Sequence, residues 1–160
     1  MSKHNNPDSN LKNKINLVKT KLAQNSVVNL SEYRNASKND NLKTILFVDA
    51  DIQFLNQMRK IFLPHSYHVY TAKDAMEVAK IMEETHLDAV VINADLPWMD
   101  GYELCTLLKS IPFLKNLPIA LISCHKTEED IRRGRESGCD DFLGMPFIEN
   151  DLIQTVSNLL

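Results

Sequence analysis

The sequence predicts an α/β fold: a doubly wound, five-stranded parallel sheet, (βα)5, behind a basic N-terminal extension. Three observations carry that expectation. Between residues 42 and 160, short apolar runs alternate five times with segments of helical period, the pattern of a parallel sheet with crossover helices. The central runs are Ile-, Leu- and Val-rich without polar alternation, as in strands covered on both faces. Residues 1–41 differ in kind, with ten Asn, five Ser, and seven Lys or Arg against three Asp or Glu. Such a mixture buries little apolar surface, and the boundary falls at 39–42.

Each element of the 42–160 domain follows from its residues. The run 44–48 is the first strand. Residues 51–63 place Ile52, Leu55, Met58, Ile61 and Phe62 at helical spacing, and Pro64 stops the helix because it cannot continue the hydrogen-bond ladder. A second strand is read over 68–71 and a second helix over 73–84. The third strand, 88–92, runs into a loop holding Pro97 and Gly101, and the third helix covers 102–109. Residues 118–122 form the fourth strand. Thr127, followed by the acidic start of 128–137, has the hydroxyl of a capped helix. Residues 141–144 are a short fifth strand, and 148–160 close the chain as a fifth helix.

Within the extension, Leu11, Ile15, Val18 and Leu22 form one apolar helical stripe flanked by Lys12, Lys14, Lys19 and Lys21. A helix of this length is marginal alone. It is expected to be ordered only by docking on its own domain, on a second copy or on a partner. Its lysines lack the arginine and aromatic clusters of a nucleic-acid surface, so nucleic acid is an unfavoured partner.

Composition narrows the function classes. With 44% hydrophobic and 24% charged residues, the chain is that of an ordinary globular domain, which excludes wholly disordered and collagen-like classes. No apolar run approaches the ~20 residues of a membrane span, and the N-terminus has no apolar signal core. Cys105, Cys124 and Cys139 are odd in number and lack metal-ligand spacing, which points to a reduced, cytoplasmic protein without structural zinc. The net charge of -3 conceals an asymmetry, because the extension carries +4 and the rest -7.

In such sheets function collects just beyond the carboxyl ends of the strands, here 49–51, 93–95, Ser123, Cys124 and Met145. The enzyme templates fail at this edge. No glycine-rich phosphate loop and no nucleophile elbow is present, and among the histidines only His125 lies there, where a solvated loop residue is the plainer reading. Cys124 has no evident cation beside it to make it reactive. Trp98, after Pro97, is either an exposed anchor for a partner or a cover over the pocket.

At these positions the chain resembles the receiver domain of bacterial two-component response regulators. The segments that carry the likeness are ILFVDAD at 45–51, YTAKDAMEVAKI at 70–81, DAVVINADLPWMDGYELC at 88–105, PIALIS at 118–123 and GCDDFLGMPF at 138–147. The resemblance implies a flavodoxin-like receiver fold, and a chemistry in which an aspartate takes a phosphoryl group from a histidine kinase with help from Mg2+, a Ser or Thr, and a Lys. Residue by residue, the chain departs from it. Asp49 matches the first acidic position, but the second is Ala50. The acceptor position is Asn93 and the Lys position is Met145. Ser123 keeps the hydroxyl and Phe142 the aromatic switch residue.

The exchanges agree chemically. An amide is too poor a nucleophile to form an acyl phosphate. Losing two carboxylates removes the charge that draws Mg2+, so its binding is expected to be weak or absent. A Lys beside Asn93 would be a partly buried, unpaired cation, and Met145 avoids that. The expectation is therefore a degenerate receiver, or pseudo-receiver: not an enzyme, without a cofactor, and acting in phosphorelay signalling through protein–protein contact. The resemblance places that contact on the fourth helix, fifth strand and fifth helix, including Arg132, Arg133, Arg135, Glu136 and Phe142; a homodimer is a separate expectation. Two alternatives stand beside this reading. One uses Asp95 as a substitute acceptor, with Asp49, Asp51 and Asp95 as weak metal candidates; the other makes the basic arm a nucleic-acid-binding effector.

Overall fold

The computed structural model describes Thr20 and residues 42–160. The expected helix over 11–22 and the division at 39–42 thus lie outside the described residues, except that Thr20 is helical and exposed. From the start of the continuous stretch, β1 (Lys43–Val48), α1 (Ile52–Phe62), a 3-10 turn (Leu63–His65), β2 (Tyr67–Ala72), α2 (Ala75–Glu84), β3 (Ala89–Asn93), α3 (Gly101–Ser110), β4 (Ile119–Ser123), α4 (Glu128–Ser137), β5 (Asp141–Gly144) and α5 (Glu149–Leu159) follow in alternation. Every ladder is parallel, and the order across the sheet is β2-β1-β3-β4-β5. This is the doubly wound sheet expected from the pattern. Among the described residues no helix is long and apolar enough to cross a membrane.

Side chains of a strand alternate between faces, and the two cores divide accordingly. Ile45, Phe47, Val91, Ala120 and Ile122 meet Leu55, Met58, Ile61 and Phe62 of α1 and Leu152 and Val156 of α5. Leu46, Val48, Val90, Ile92, Ile119 and Leu121 meet Val78 and Met82 of α2 and Leu104, Cys105 and Leu108 of α3. Each fully buried Leu, Ile or Phe contributes about 1.5–3 kcal/mol, so these layers hold the edge where the loops gather. The outer strands depart from the expectation of five buried strands. β2 alternates between half-buried and exposed, with Tyr70 outside, and β5 is half-buried throughout, because each has a neighbour on one side only.

The carboxyl-edge loops are tied down by their own polar residues. Asp51, Asp74 and Asp100 each accept two backbone N–H groups at the starts of α1, α2 and α3. Thr127 and Asp130 form a reciprocal capping box on α4, as the sequence signal required. Gly138, at φ 81°, ends α4 in the left-handed region. Gly101 is needed for a different reason: a Cβ there would overlap the Asn93 carbonyl oxygen and the Ala94 Cα. Its N–H donates to the Ala94 carbonyl at 2.9 Å, so α3 begins directly against the end of β3. Strand order reverses between β1 and β3, which brings their carboxyl ends together at Val48 and Ile92.

Candidate functional site

Asp49 extends β1 by one residue, its N–H donating to the Ala72 carbonyl at 3.1 Å. Its side chain turns inward and is only 5% exposed. Oδ1 accepts from the Asp51 N–H at 2.8 Å, and Oδ2 accepts from Asn93 Nδ2 at 2.8 Å. The other end of the same amide, Asn93 Oδ1, accepts from the Asp95 N–H at 2.9 Å. With a carboxylate on one side and an N–H on the other, only one orientation of the amide satisfies both. Asn93 is thereby held in place by the group that in the resembled chemistry would face a carboxylate.

The remaining positions divide. Asp51 is exposed, and its Oδ1 caps α1 by accepting from the N–H groups of Gln53 at 2.8 Å and Phe54 at 3.3 Å. Ala50 and Asp95 are exposed, and Ala50 offers no side-chain oxygen. Asp49, Asp51 and Asp95 do not converge: among the described residues no three His, Cys, Asp or Glu gather as a metal-binding group. Ser123, 1% exposed, closes β4; its Oγ accepts from the His125 N–H at 3.0 Å and its carbonyl from the Met145 N–H at 2.7 Å. Met145 is half-buried against the core beneath α1 and α5 and precedes Pro146 through a cis peptide bond. Asp49, Asn93, Ser123 and Met145 thus end three adjacent strands and the strand beside them, as their spacing implied.

Phe142 packs against the core on the α2/α3 side and lies over Gly134 of α4, where an added Cβ would come within 3.2 Å of the ring. The Lys126 stem crosses Gly144 so closely that a Cβ there would overlap its methylenes. The arginines of α4 are mostly engaged within the domain. Arg132 pairs with Glu129 at 2.6 Å and with Glu136. Arg133 bonds Asp100 at 2.6 Å and stacks 4.2 Å above the Tyr102 ring. Their carboxylate partners raise both guanidinium pKa values, and Arg132 in turn lowers that of Glu129. Among the described residues Arg135 is exposed without an ion pair. Of the three arginines expected on the contact face, Arg132 and Arg133 are thus ion-paired within the domain, through helical i,i+3 and i,i+4 spacing and through the α3 cap.

Trp98 is a cover. It is half-buried against the α2/α3-side core, and its indole N–H donates to the Lys73 carbonyl at 2.9 Å, which ties the loop after β3 to the loop after β2. Tyr102 was not singled out by the sequence pattern, where it reads as one more apolar position of α3. Its hydroxyl is buried, faces Ser123 and makes no hydrogen bond of good geometry; burial raises its pKa, with Ser123 opposing. Burial also pushes the Cys105 thiol up to about 11 and raises that of Cys139, whereas Cys124 is exposed. Thiolate is the reacting form. A thiol reagent at pH 8 is therefore expected to label Cys124 quickly, half-buried Cys139 more slowly and buried Cys105 only after unfolding; rapid labelling of Cys105 would contradict the packing.

Comparison with known proteins agrees with the fold. Residues 45–157 match the response regulator receiver domain family. The transcriptional regulatory protein PrrA of Mycobacterium leprae is 30% identical over 72% of this chain and 49% of its own length, and the chain spans about half the length of the curated relatives it matches. Among solved structures, the chemotaxis response regulator CheY4 of Vibrio cholerae superposes with a TM-score of 0.70 at 22% identity, covering 75% of this chain and all 100% of that one. The signal receiver domain of a signal transduction histidine kinase from Syntrophus aciditrophicus gives 0.68 at 28% identity, over 74% of this chain and 89% of that one. The chain belongs to the response regulator receiver domain family and has its five-stranded fold.

Proposed function

We propose that this receiver domain signals without aspartyl phosphorylation, as a pseudo-receiver that works through protein–protein contact. The observation that carries the reading is the bond from Asn93 Nδ2 to Asp49 Oδ2 at 2.8 Å. The acceptor position holds an amide that donates to the remaining pocket carboxylate, so the pair is satisfied without metal or phosphate. Met145 in the core and Ala50 at the rim support the same conclusion, since neither offers a charge to a transferring phosphoryl group. The donor set does not fit the family's Mg2+. That ion demands near-octahedral oxygen ligation with carboxylates, and the inward-facing carboxylate here is already bonded on both oxygens.

The contact surface of this reading is α4, β5 and α5, with Arg135 and Ile131 exposed on α4 and Phe142 half-buried on β5. The test is intact mass after incubation with Mg2+ and a small phosphodonor such as acetyl phosphate. The expected spectrum shows no gain of a phosphoryl group. An adduct removed by Asp95→Ala would instead establish Asp95 as the acceptor and end the proposal.

A further inference from the structure

We infer that the basic stretch 11–22 of this chain docks intramolecularly on the carboxyl edge of the sheet, across the first turns of α1 and α5. Those two helices share one core, Leu55 and Met58 packing with Leu152 and Val156, and both begin at the same edge. At their starts stand two isoleucines that the domain leaves uncovered: Ile52 is 57% exposed and Ile148 is 64% exposed. Pro146, two residues before Ile148, is exposed as well. Asp51 precedes Ile52, Glu149 follows Ile148 with Asp151 two residues further on, and Asp95 follows β3 at the same edge; all four are exposed, and among the described residues none of the four forms an ion pair.

The occupant is argued from complementarity. Exposed isoleucines flanked by carboxylates that form no ion pair fit an amphipathic segment with an aliphatic stripe and flanking lysines. Leu11, Ile15, Val18 and Leu22, with Lys12, Lys14, Lys19 and Lys21, are such a segment. Thr20, off the stripe, is helical and exposed. The span is available: residues 23–42 separate the stretch from β1 and reach up to roughly 65–70 Å when extended, against about 20 Å for the length of β1. Docked there, the arm neutralises the charge of those carboxylates. This inference does not depend on the pocket being unphosphorylated.

Hydrogen exchange on the full chain tests it, because a helix this short has little protection unless it is docked. Amides within 11–22 are expected to exchange about tenfold or more slower than an unstructured peptide. The double variant Ile52→Lys with Ile148→Lys should abolish that protection while leaving the melting temperature unchanged, since both side chains are exposed. Raising salt should weaken it through screening. Coil-like exchange in the parent chain overturns the inference, as does protection that survives the double variant. Protection lost on dilution assigns the contact to a second copy and also overturns it.

Discussion

Asn93→Asp, the substitution that restores the family's acceptor residue, is expected to destabilise the protein and not to revive it. The parent amide donates to a carboxylate that is 5% exposed. Replacing it with a carboxylate removes a charge-assisted hydrogen bond and sets two like charges in contact, with Met145 where a lysine would have neutralised them. The combined loss at pH 7 is about 2–4 kcal/mol, a fall in melting temperature of roughly 10 °C. The pH dependence follows from the pair. One of the two carboxyls holds its proton to a higher pH in the folded state than in the unfolded chain. The variant's deficit is therefore smallest below pH ~4 and grows as pH rises through the raised value. Asn93→Ala removes the donor without adding charge, so it should cost about 1.5–3 kcal/mol with no new pH slope and leave partner binding largely intact. Thermal melts of the three proteins across pH check this. An Asn93→Asp variant as stable as the parent at pH 7 would mean that Asp49 and residue 93 are not in contact.

Gly101→Ala is expected to be the other damaging change, although it adds a single methyl group. The space for that group is occupied by the backbone of Asn93 and Ala94. Overpacking against flexible side chains costs about 1–3 kcal/mol. Here backbone must move, so the loss should reach or exceed the top of that range. The displacement would separate α3 from the end of β3, and the Asn93–Asp49 bond would lengthen with it. Denaturant unfolding gives the stability, and the Asn93 side-chain amide resonance reports the bond. Unchanged stability with an unchanged amide signal would contradict the close approach.

Much of this architecture is legible in the residues. The continuous apolar runs at 45–48 and 89–92 became the buried centre of the sheet, and Thr127 capped α4 as its sequence signal required. Helix and strand limits shifted by one or two residues, as terminal turns do. Asp49, Asn93, Ser123 and Met145 could be assembled because strand ends in a parallel sheet share one edge. Side-chain bookkeeping was harder. The pairing of Arg132 with Glu129 and Glu136 is written in local spacing, but Arg133 with Asp100 and Trp98 with Lys73 join residues 33 and 25 positions apart. No periodicity announces such contacts. Asp51 was read as a weak metal candidate, although its place directly before a helix is equally that of a cap, and the cap is what forms. Tyr102 escaped notice because an aromatic on a buried helical face has no signal distinguishing its hydroxyl's surroundings.

The most direct test of the central claim is a set of amide NMR spectra of the full chain, recorded alone, with Mg2+, and with Mg2+ plus beryllofluoride, which imitates a phosphoryl group on an acceptor aspartate. The pocket described here predicts unmoved resonances at Asp49, Asn93, Ser123 and Phe142 under all three conditions. Saturable shifts that begin at Asp49 and Asn93 and spread through Ser123 to Phe142 on β5 would show a working switch and contradict the account.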